Sequence, residues 1–318
     1  MRVVHVVAAA IFGPDGRLLI SRRPDHLHQG GLLEFPGGKV DPGETVTQAL
    51  IRELQEELGI TPVSFEPLLQ IPHTYPDKRV LLDVWRVSRY LDEPEGLEGQ
   101  ALHWLGIDEL DPGQFPAANS AIITALSLPQ QYLITGTAVD AVQWLVKLQA
   151  ALDAGIKLVQ LRAPALDAPA YRSLALAAHK RCRAAGARLI LNRDPRELGG
   201  IEADGLHLNR HLLLQISAEQ LTPWRRGLLG VSCHNAQELQ RAEQLGVDYA
   251  VLSPVLPTDS HPDAETLGWA GFKALAGPAA LPVYALGGMA RGMERTAIEQ
   301  GAQGIASISA LWEPTLWT

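Results

Sequence analysis

Eight short apolar runs recur across the second half of this 318-residue chain, and their rhythm constrains the fold more than any other feature. They lie at 132–136 (YLITG), 158–162 (LVQLR), 188–193 (RLILNR), 205–209 (GLHLN), 228–234 (LLGVSCH), 249–255 (YAVLSPV), 282–288 (PVYALGG) and 304–309 (GIASIS). Helix-like segments separate most of them, among them 139–152, 168–185 and 236–245. Strands alternating with helices build parallel sheets, and eight in about 190 residues predict a small (β/α)8 TIM-type barrel over 131–318. Polar residues stand toward the carboxyl ends of the runs: Gln160, Arg162, Asn192, His207, Ser232, His234 and Ser253. Barrels keep their sites at that end, and Gly287-Gly288 and Ser307 to Ser309 fall where such barrels often bind phosphate.

The first 128 residues follow a different pattern. Residues 38–60 read GKVDPGETVTQALIRELQEELGI and fit G-x5-E-x7-R-E-U-x-E-E-x-G-U, with U a bulky aliphatic, at Gly38, Glu44, Arg52, Glu53, Leu54, Glu56, Glu57, Gly59 and Ile60. Residues 45–58 favour a helix, and Gly59 stands where a glycine stop belongs. Leu50, Ile51, Leu54 and Leu58 are expected to fill one arc, with Glu53, Glu56 and Glu57 on the next. Carboxylates at such spacing repel. A hard divalent cation relieves that repulsion, because Mg2+ takes oxygen ligands and is shared with substrate phosphates. Such an ion also lowers the pKa of an attacking water. Mn2+ is the alternative ion. Arg52 has the planar fork to hold a carboxylate in place.

That spacing is the Nudix box, the signature of enzymes that cleave a diphosphate linked to another group. The resemblance extends over residues 1–128 and is closest to MutT-type 8-oxo-dGTP diphosphatases. It is carried by Ser21-Arg22-Arg23, Leu33-Glu34-Phe35-Pro36-Gly37-Gly38-Lys39, RELQEELGITP from Arg52, Tyr75-Pro76-Asp77, Glu98-Gly99-Gln100 and Phe115-Pro116-Ala117-Ala118-Asn119. The resemblance implies an α/β/α sandwich with a mixed sheet. It implies that Arg23, His28, Glu34, Phe35, Pro36, Gly37 and Asn119 hold the nucleotide, with Asn119 reading the base. It implies a Gly37 carbonyl and Glu53, Glu56, Glu57 and Glu98 as metal ligands or as the base that activates water, with Arg52 in the catalytic set. On its own, Asn119 also reads as an N-cap for a helix over 120–128, and Phe35 as core.

Residues 131–312 resemble the thiamine phosphate synthase / thiazole tautomerase (TenI-like) family. The carriers are Tyr132-Leu133-Ile134-Thr135, Gln160-Leu161-Arg162, Ala203-Asp204-Gly205-Leu206-His207-Leu208, Gly230-Val231-Ser232-Cys233-His234, Asp248-Tyr249, Ser253-Pro254-Val255, Pro257-Thr258 and Ala285-Leu286-Gly287-Gly288. The resemblance implies substrate contacts at Gln160, Arg162, Asn192, Ser232, Thr258, Gly287, Gly288, Ser307 and Ser309. It makes His234 the proton shuttle of the tautomerase branch. The chain departs from the synthase pattern at Asn192-Arg193-Asp194, where synthases carry Asn-Asp, and at Asn209-Arg210-His211-Leu212, where they carry an acid. Two phosphate-binding lysines are also absent, at Ala163-Pro164 and at His261.

The net charge of −8 argues against a general nucleic-acid binder. Cys182 and Cys233 alone make no disulfide framework and fit a reducing cytosol. The opening VVHVVAAAIF is interrupted by His5 and followed by Gly13-Pro14-Asp15-Gly16, which predicts a β-hairpin rather than a signal peptide. No run reaches the roughly 18 apolar residues of a membrane span. The expected protein is a cytoplasmic, Mg2+-dependent diphosphatase acting on a small molecule, 8-oxo-dGTP, fused to a tautomerase-like or ligand-binding barrel. The alternatives are a hydrolase of damaged thiamine or pyrimidine diphosphates with an active synthase barrel, and a barrel that serves as a ligand sensor.

Overall fold

The computed structural model describes residues 3–23, 30–74, 79–225, 227–258 and 265–313; His28, His261 and the 75–77 motif lie outside them. The chain forms two compact units, 1–127 and 128–318.

The first unit runs β1 (Val3–Phe12), β2 (Leu18–Arg22), β3 (Leu33–Glu34), α1 (Val46–Leu58), β4 (Thr61–Thr74), β5 (Arg79–Leu91), β6 (Ala101–Leu105) and α2 (Ser120–Ser127). The predicted hairpin forms between β1 and β2, with Ile11 opposite Leu19. The sheet has the order β3-β2-β1-β5-β4, and β6 also pairs with β2. It is mixed: β1 and β5 run parallel, and the other pairs are antiparallel. Residues Val7 through Ile11 of β1 are all buried, so both faces of this central strand are covered. Helix α1 packs on the face of Val7, Ala9 and Ile11, and α2 packs on β4.

Helix α1 begins in a capping box. The Thr45 hydroxyl accepts from Gln48 N, and the Gln48 side chain accepts from Thr45 N. It ends at Gly59, whose φ of 69° is the left-handed conformation that glycine adopts without strain. The buried face is Ala49, Leu50, Leu54 and Leu58, and Ile51 is only half-buried. The expected arc is therefore displaced. At about 100° per residue, Glu53 and Glu57 fall between Ala49 and Leu50, while Ile51 and Glu56 fall at the two edges. Burying that face carries two of the three carboxylates inward with it.

The second unit is a closed barrel. Its elements are β7 (Gln131–Ile134), α3 (Ala141–Asp153), β8 (Leu158–Leu161), α4 (Ala168–Ala184), β9 (Arg188–Leu191), β10 (Gly205–Leu208), α5 (Arg210–Gln215), β11 (Leu228–Cys233), α6 (Ala236–Leu245), β12 (Tyr249–Leu252), α7 (Gly268–Ala276), β13 (Val283–Ala285), α8 (Glu294–Glu299), β14 (Gly304–Ser307) and α9 (Ser309–Trp312). Each strand pairs in parallel with the next, and β14 closes on β7. One connection departs from the expected alternation: β9 and β10 are joined through a short 3-10 turn, Pro195–Glu197, rather than an α-helix. Helices α3, α4, α5 and α6 start at Asp140, Asp167, Asn209 and Asn235, each of which accepts a backbone N–H of the first turn.

Strand residues alternate between the two sides of the barrel wall. Leu133, Val159, Leu161, Leu189 and Leu191 join the helix-facing core. Tyr132, Ile134, Leu158, Ile190, Tyr249, Val251, Tyr284 and Ala306 fill the interior. Gly230 makes room there: a Cβ on it would lie 2.3 Å from Cζ of Tyr249. Gly230→Ala is expected to lower stability by about 1–3 kcal/mol through overpacking. The check is the urea midpoint of the full chain, followed by far-UV circular dichroism; an unchanged midpoint would show that the interior has slack at Tyr249.

Candidate functional site

In the first unit the loop 36–40 runs beside β1, with Val7 N donating to Gly38 O and Ala9 N to Pro36 O, both at 2.8 Å. This brings Gly37 and Gly38 under α1. A Cβ on Gly38 would lie 2.2 Å from Glu53 Oε2, so only glycine lets the Glu53 carboxylate rest there. Gly37 N donates to Glu57 Oε2 at 2.9 Å. Its carbonyl makes no hydrogen bond among the described residues.

Arg52 ties the box together. Its guanidinium donates to both oxygens of Glu44 at 3.0 Å, to Glu53 at 2.8 Å, to Glu56 at 3.0 Å and to the Lys39 carbonyl at 2.9 Å. Hydrogen bonds from Arg52 hold the Glu44 carboxyl below the usual range. Burial pushes the Glu53 carboxyl up, against the pull of Arg52. Glu57 has no such cation. Burial, together with the charges of Glu34, Glu53 and Glu98, raises its carboxyl to about 8 despite the Gly37 N–H.

Glu34 pairs with Arg23 at 2.5 Å, and its carboxyl is also raised, by burial first. Phe35 is buried and stacks on Phe115, with ring centroids 5.6 Å apart, which agrees with the core reading. Asn119 closes a 3-10 turn, Ala117–Asn119, that leads into α2. It is 8 % exposed, and its amide makes no hydrogen bond to a described residue, so it is not spent on capping α2. Glu98 is exposed on a loop that Gln100 fastens: Gln100 accepts from Glu98 N and donates to Glu57 O.

These residues suit a hard cation in donor chemistry, since they supply carboxylate oxygens and a Gly37 carbonyl that makes no hydrogen bond among the described residues. Among the described residues, no three His, Cys, Asp or Glu side chains yet close round one point that could hold an ion. Arg52 draws Glu53 and Glu56 toward itself, and the Gly37 N–H holds Glu57.

The barrel gathers its candidates at the carboxyl ends of the strands. Arg162 is exposed after β8, with its backbone N–H on Thr135 Oγ1. Gln160 is buried and bonds both Tyr132 Oη and Asn192. Ser232 is half-buried at the end of β11, and Thr258 is half-buried beyond β12. Gly287 and Gly288 have φ of 97° and 67°, and their backbone lies against residues 254–257. Ser307 is buried, with its hydroxyl on Met289 O, while Ser309 is exposed at the start of α9.

His234 is held by a partner that pattern reading missed. Glu238, 2 % exposed on α6, accepts from His234 N, and it lies 2.9 Å from His234 Nδ1. Its other oxygen accepts from Arg210 and Asn235. Burial pushes the Glu238 carboxyl up, but the hydrogen bonds from His234 and Arg210 outweigh it and hold the group below the usual range. The spacing His-x-x-x-Glu across a helix start was the available signal. A cavity of about 1210 Å3 lies at the other end of the strands, bordered by Arg188, Asp204, Trp224, Leu228 and Asp248, and none of the predicted residues line it.

Comparison with known proteins matches both halves. Residues 131–311 match the thiamine monophosphate synthase family, and residues 7–125 match the NUDIX domain. An 8-oxo-dGTP diphosphatase of Escherichia coli (strain K12) is 39% identical over 126 residues, 40% of this chain and 98% of that protein. A CTP pyrophosphohydrolase of the same organism is 38% identical over 122 residues, 38% of this chain and 88% of that protein. A putative thiamine-phosphate synthase 2 of Aquifex aeolicus (strain VF5) is 31% identical over 188 residues, 59% of this chain and 100% of that protein.

The raised Glu57 carboxyl has a sign that can be tested. Because its folded value near 8 exceeds the ordinary 4.5, its contribution to stability is present below about pH 4.5 and is lost as pH rises through about 8. Metal-free Glu57→Gln is therefore expected to melt several degrees above the unchanged protein at pH 8.5, with the gap closing toward pH 5. A gap independent of pH would show that Glu57 is not the strained group.

Proposed function

The chain belongs to the thiamine monophosphate synthase family through residues 131–311 and to the Nudix family through residues 7–125, and from that membership we propose an 8-oxo-dGTP diphosphatase joined to a tautomerase-like or ligand-binding barrel. The observation that supports the first half is the buried Glu57 carboxyl, raised by burial and by the charges of Glu34, Glu53 and Glu98, with Arg23 paired to Glu34 in the same unit.

Glu53, Glu56, Glu57, Glu98 and the Gly37 carbonyl would hold Mg2+ or Mn2+. When bound, the ion supplies charge neutralisation for the triphosphate and an acidified water. The residues do the rest. Arg23 meets a phosphate or base edge, using a guanidinium already oriented by Glu34. Asn119 offers a donor and an acceptor to the guanine edge. Phe35, backed by Phe115, gives the pocket a rigid apolar wall. A carboxylate of the α1 cluster takes the proton of the attacking water, and Arg52 keeps that cluster in register. Attack at the β-phosphorus gives 8-oxo-dGMP and pyrophosphate, a reaction that clears oxidised nucleotide from the precursor pool.

A second reading moves the substrate to a pyrimidine or thiamine diphosphate. The similarity to a CTP pyrophosphohydrolase and the fused barrel favour it.

For the barrel, the groups that stand where synthases place acids are committed elsewhere. Arg193 donates to Glu197 and Leu166 O and covers the Tyr171 ring. Asp194 pairs with Arg196 and caps the turn beyond it. The Asn209 side chain caps α5. Among the described residues His234 Nε2 has no hydrogen-bond partner while Glu238 holds Nδ1, an arrangement suited to moving a proton. This supports tautomerase-like chemistry or binding over the synthase reaction.

Pyrophosphate release with Mg2+ is expected to be fastest with 8-oxo-dGTP, ahead of dGTP, CTP and thiamine diphosphate at low concentration. Preference for CTP or thiamine diphosphate would overturn the purine assignment in favour of the second reading. Glu53→Gln should reduce turnover by about 10³-fold or more, in line with losing a central electrostatic group, with unchanged circular dichroism. Asn119→Ala should erode the preference for 8-oxo-dGTP over dGTP by roughly 10-fold, about one hydrogen-bonded contact. Selectivity that survives Asn119→Ala would place base reading elsewhere.

A further inference from the structure

A chain of hydrogen bonds crosses the barrel interior and ends on Ser232, and its direction can be read from the number of protons available. Tyr249 donates its hydroxyl to Tyr132 Oη at 2.9 Å, and Gln160 Nε2 donates to the same oxygen at 2.9 Å. The orientation of Gln160 is fixed from its other side, because its carbonyl accepts from Asn192 Nδ2 at 3.0 Å. Both lone pairs of Tyr132 Oη are then in use, so its own proton must be donated. The acceptor beside it is His207 Nδ1, at 3.4 Å.

His207 is 1 % exposed, and burial pushes its imidazole down to about 3, so the ring is neutral and carries a single proton. With Nδ1 accepting, that proton sits on Nε2, which lies 2.9 Å from Ser232 Oγ. Ser232 therefore accepts from His207, and its hydroxyl proton is unspent among the described residues. It shares the inward side of β11 with Gly230 and is half-buried one layer nearer the carboxyl end.

We propose that His207 is a positioning residue that fixes Ser232 as a hydrogen-bond donor toward the carboxyl end of the barrel, so that a ligand there must place an acceptor atom, such as a ring nitrogen or a carbonyl or phosphate oxygen, against Ser232 Oγ. A serine normally donates or accepts as its partner requires. Here the buried chain removes that choice, and the barrel discriminates against ligands that present an N–H or protonated nitrogen at that point. The identity of the ligand rests on the reading of the barrel given above, while the direction of the chain does not.

The direction is tested on the full chain labelled with 15N-histidine. The long-range proton–nitrogen spectrum at pH 7 is expected to show His207 protonated on Nε2, and an Nδ1-protonated ring overturns the proposal. Its consequence is tested by calorimetry with thiamine phosphate. Ser232→Ala and His207→Phe should each weaken binding by about tenfold, and the double variant should be no weaker than either. Additive losses would overturn the positioning role, because independent sites add. If His207→Phe does not fold, the spectrum of Ser232→Ala still reads the tautomer directly. If the unchanged protein binds no thiamine phosphate, it is the ligand reading that falls, and the tautomer still decides the role of His207.

Discussion

Like charges crowded on α1 would push one another apart, and a single guanidinium decides how they are arranged. Arg52 meets Glu44 with two prongs while reaching Glu53, Glu56 and the Lys39 carbonyl. It thereby fastens the 39–44 loop to the helix and holds that loop beside β1. Exposed ion pairs contribute little, but this side chain is only 28 % exposed and serves several acceptors at once. Glu57 lies beyond its reach, and its carboxyl is the one raised furthest in the cluster. The cluster is thus divided into a part neutralised by Arg52 and a part, at Glu57, that no cation of the protein neutralises among the described residues.

The barrel handles buried polarity differently. Among the described residues its interior holds no salt bridge; hydroxyls, two amides and a neutral imidazole bond one another in sequence. Such a network is tolerable only when every member is paired. Because each hydroxyl has one proton to give, full pairing also imposes a direction. Charge is confined to the edges, as in the His234, Glu238 and Arg210 set.

How much of this could be read from the chain depends on how local the constraint is. The box was legible because its glycines, Glu44, Arg52 and the glutamates sit at fixed spacing along one loop and one helix, where Arg52 bonds three of the carboxylates. The barrel was legible because each strand must be apolar on both sides. The long hairpin of β4 and β5 gave no such signal: Pro62, Pro67 and Pro72 interrupt β4, and a sheet admits them only because that strand lies at its edge, with register shifts at Pro62 and Pro67. Ile51 was misplaced because the buried face of α1 is centred between Ala49 and Leu58, with two glutamates inside it. Glu238 was within reach of a spacing rule, four residues after His234, but Arg210 of α5, which holds Glu238, and His207 of β10, which holds Ser232, come from other elements that no local spacing could name. The helix missing between β9 and β10 reflects the glycine and proline content of 195–205, which supports only a turn.

The closure of the barrel has a consequence for how the protein is made. Strand β7 pairs with β14 through Gln131 and Ile305, and the chain just before β7 is held by Tyr284 on Pro129 O and Gln303 on Leu128 O. The first and last strands of the unit are thus neighbours, so a growing chain cannot seal the interior until β14 has left the ribosome. Until then the burial that keeps the His207 imidazole neutral is absent. The 1–127 unit is complete far earlier in translation, so for most of synthesis a finished domain is followed by an open half-barrel whose exposed strand edges are the natural point of attack for chaperones and of aggregation.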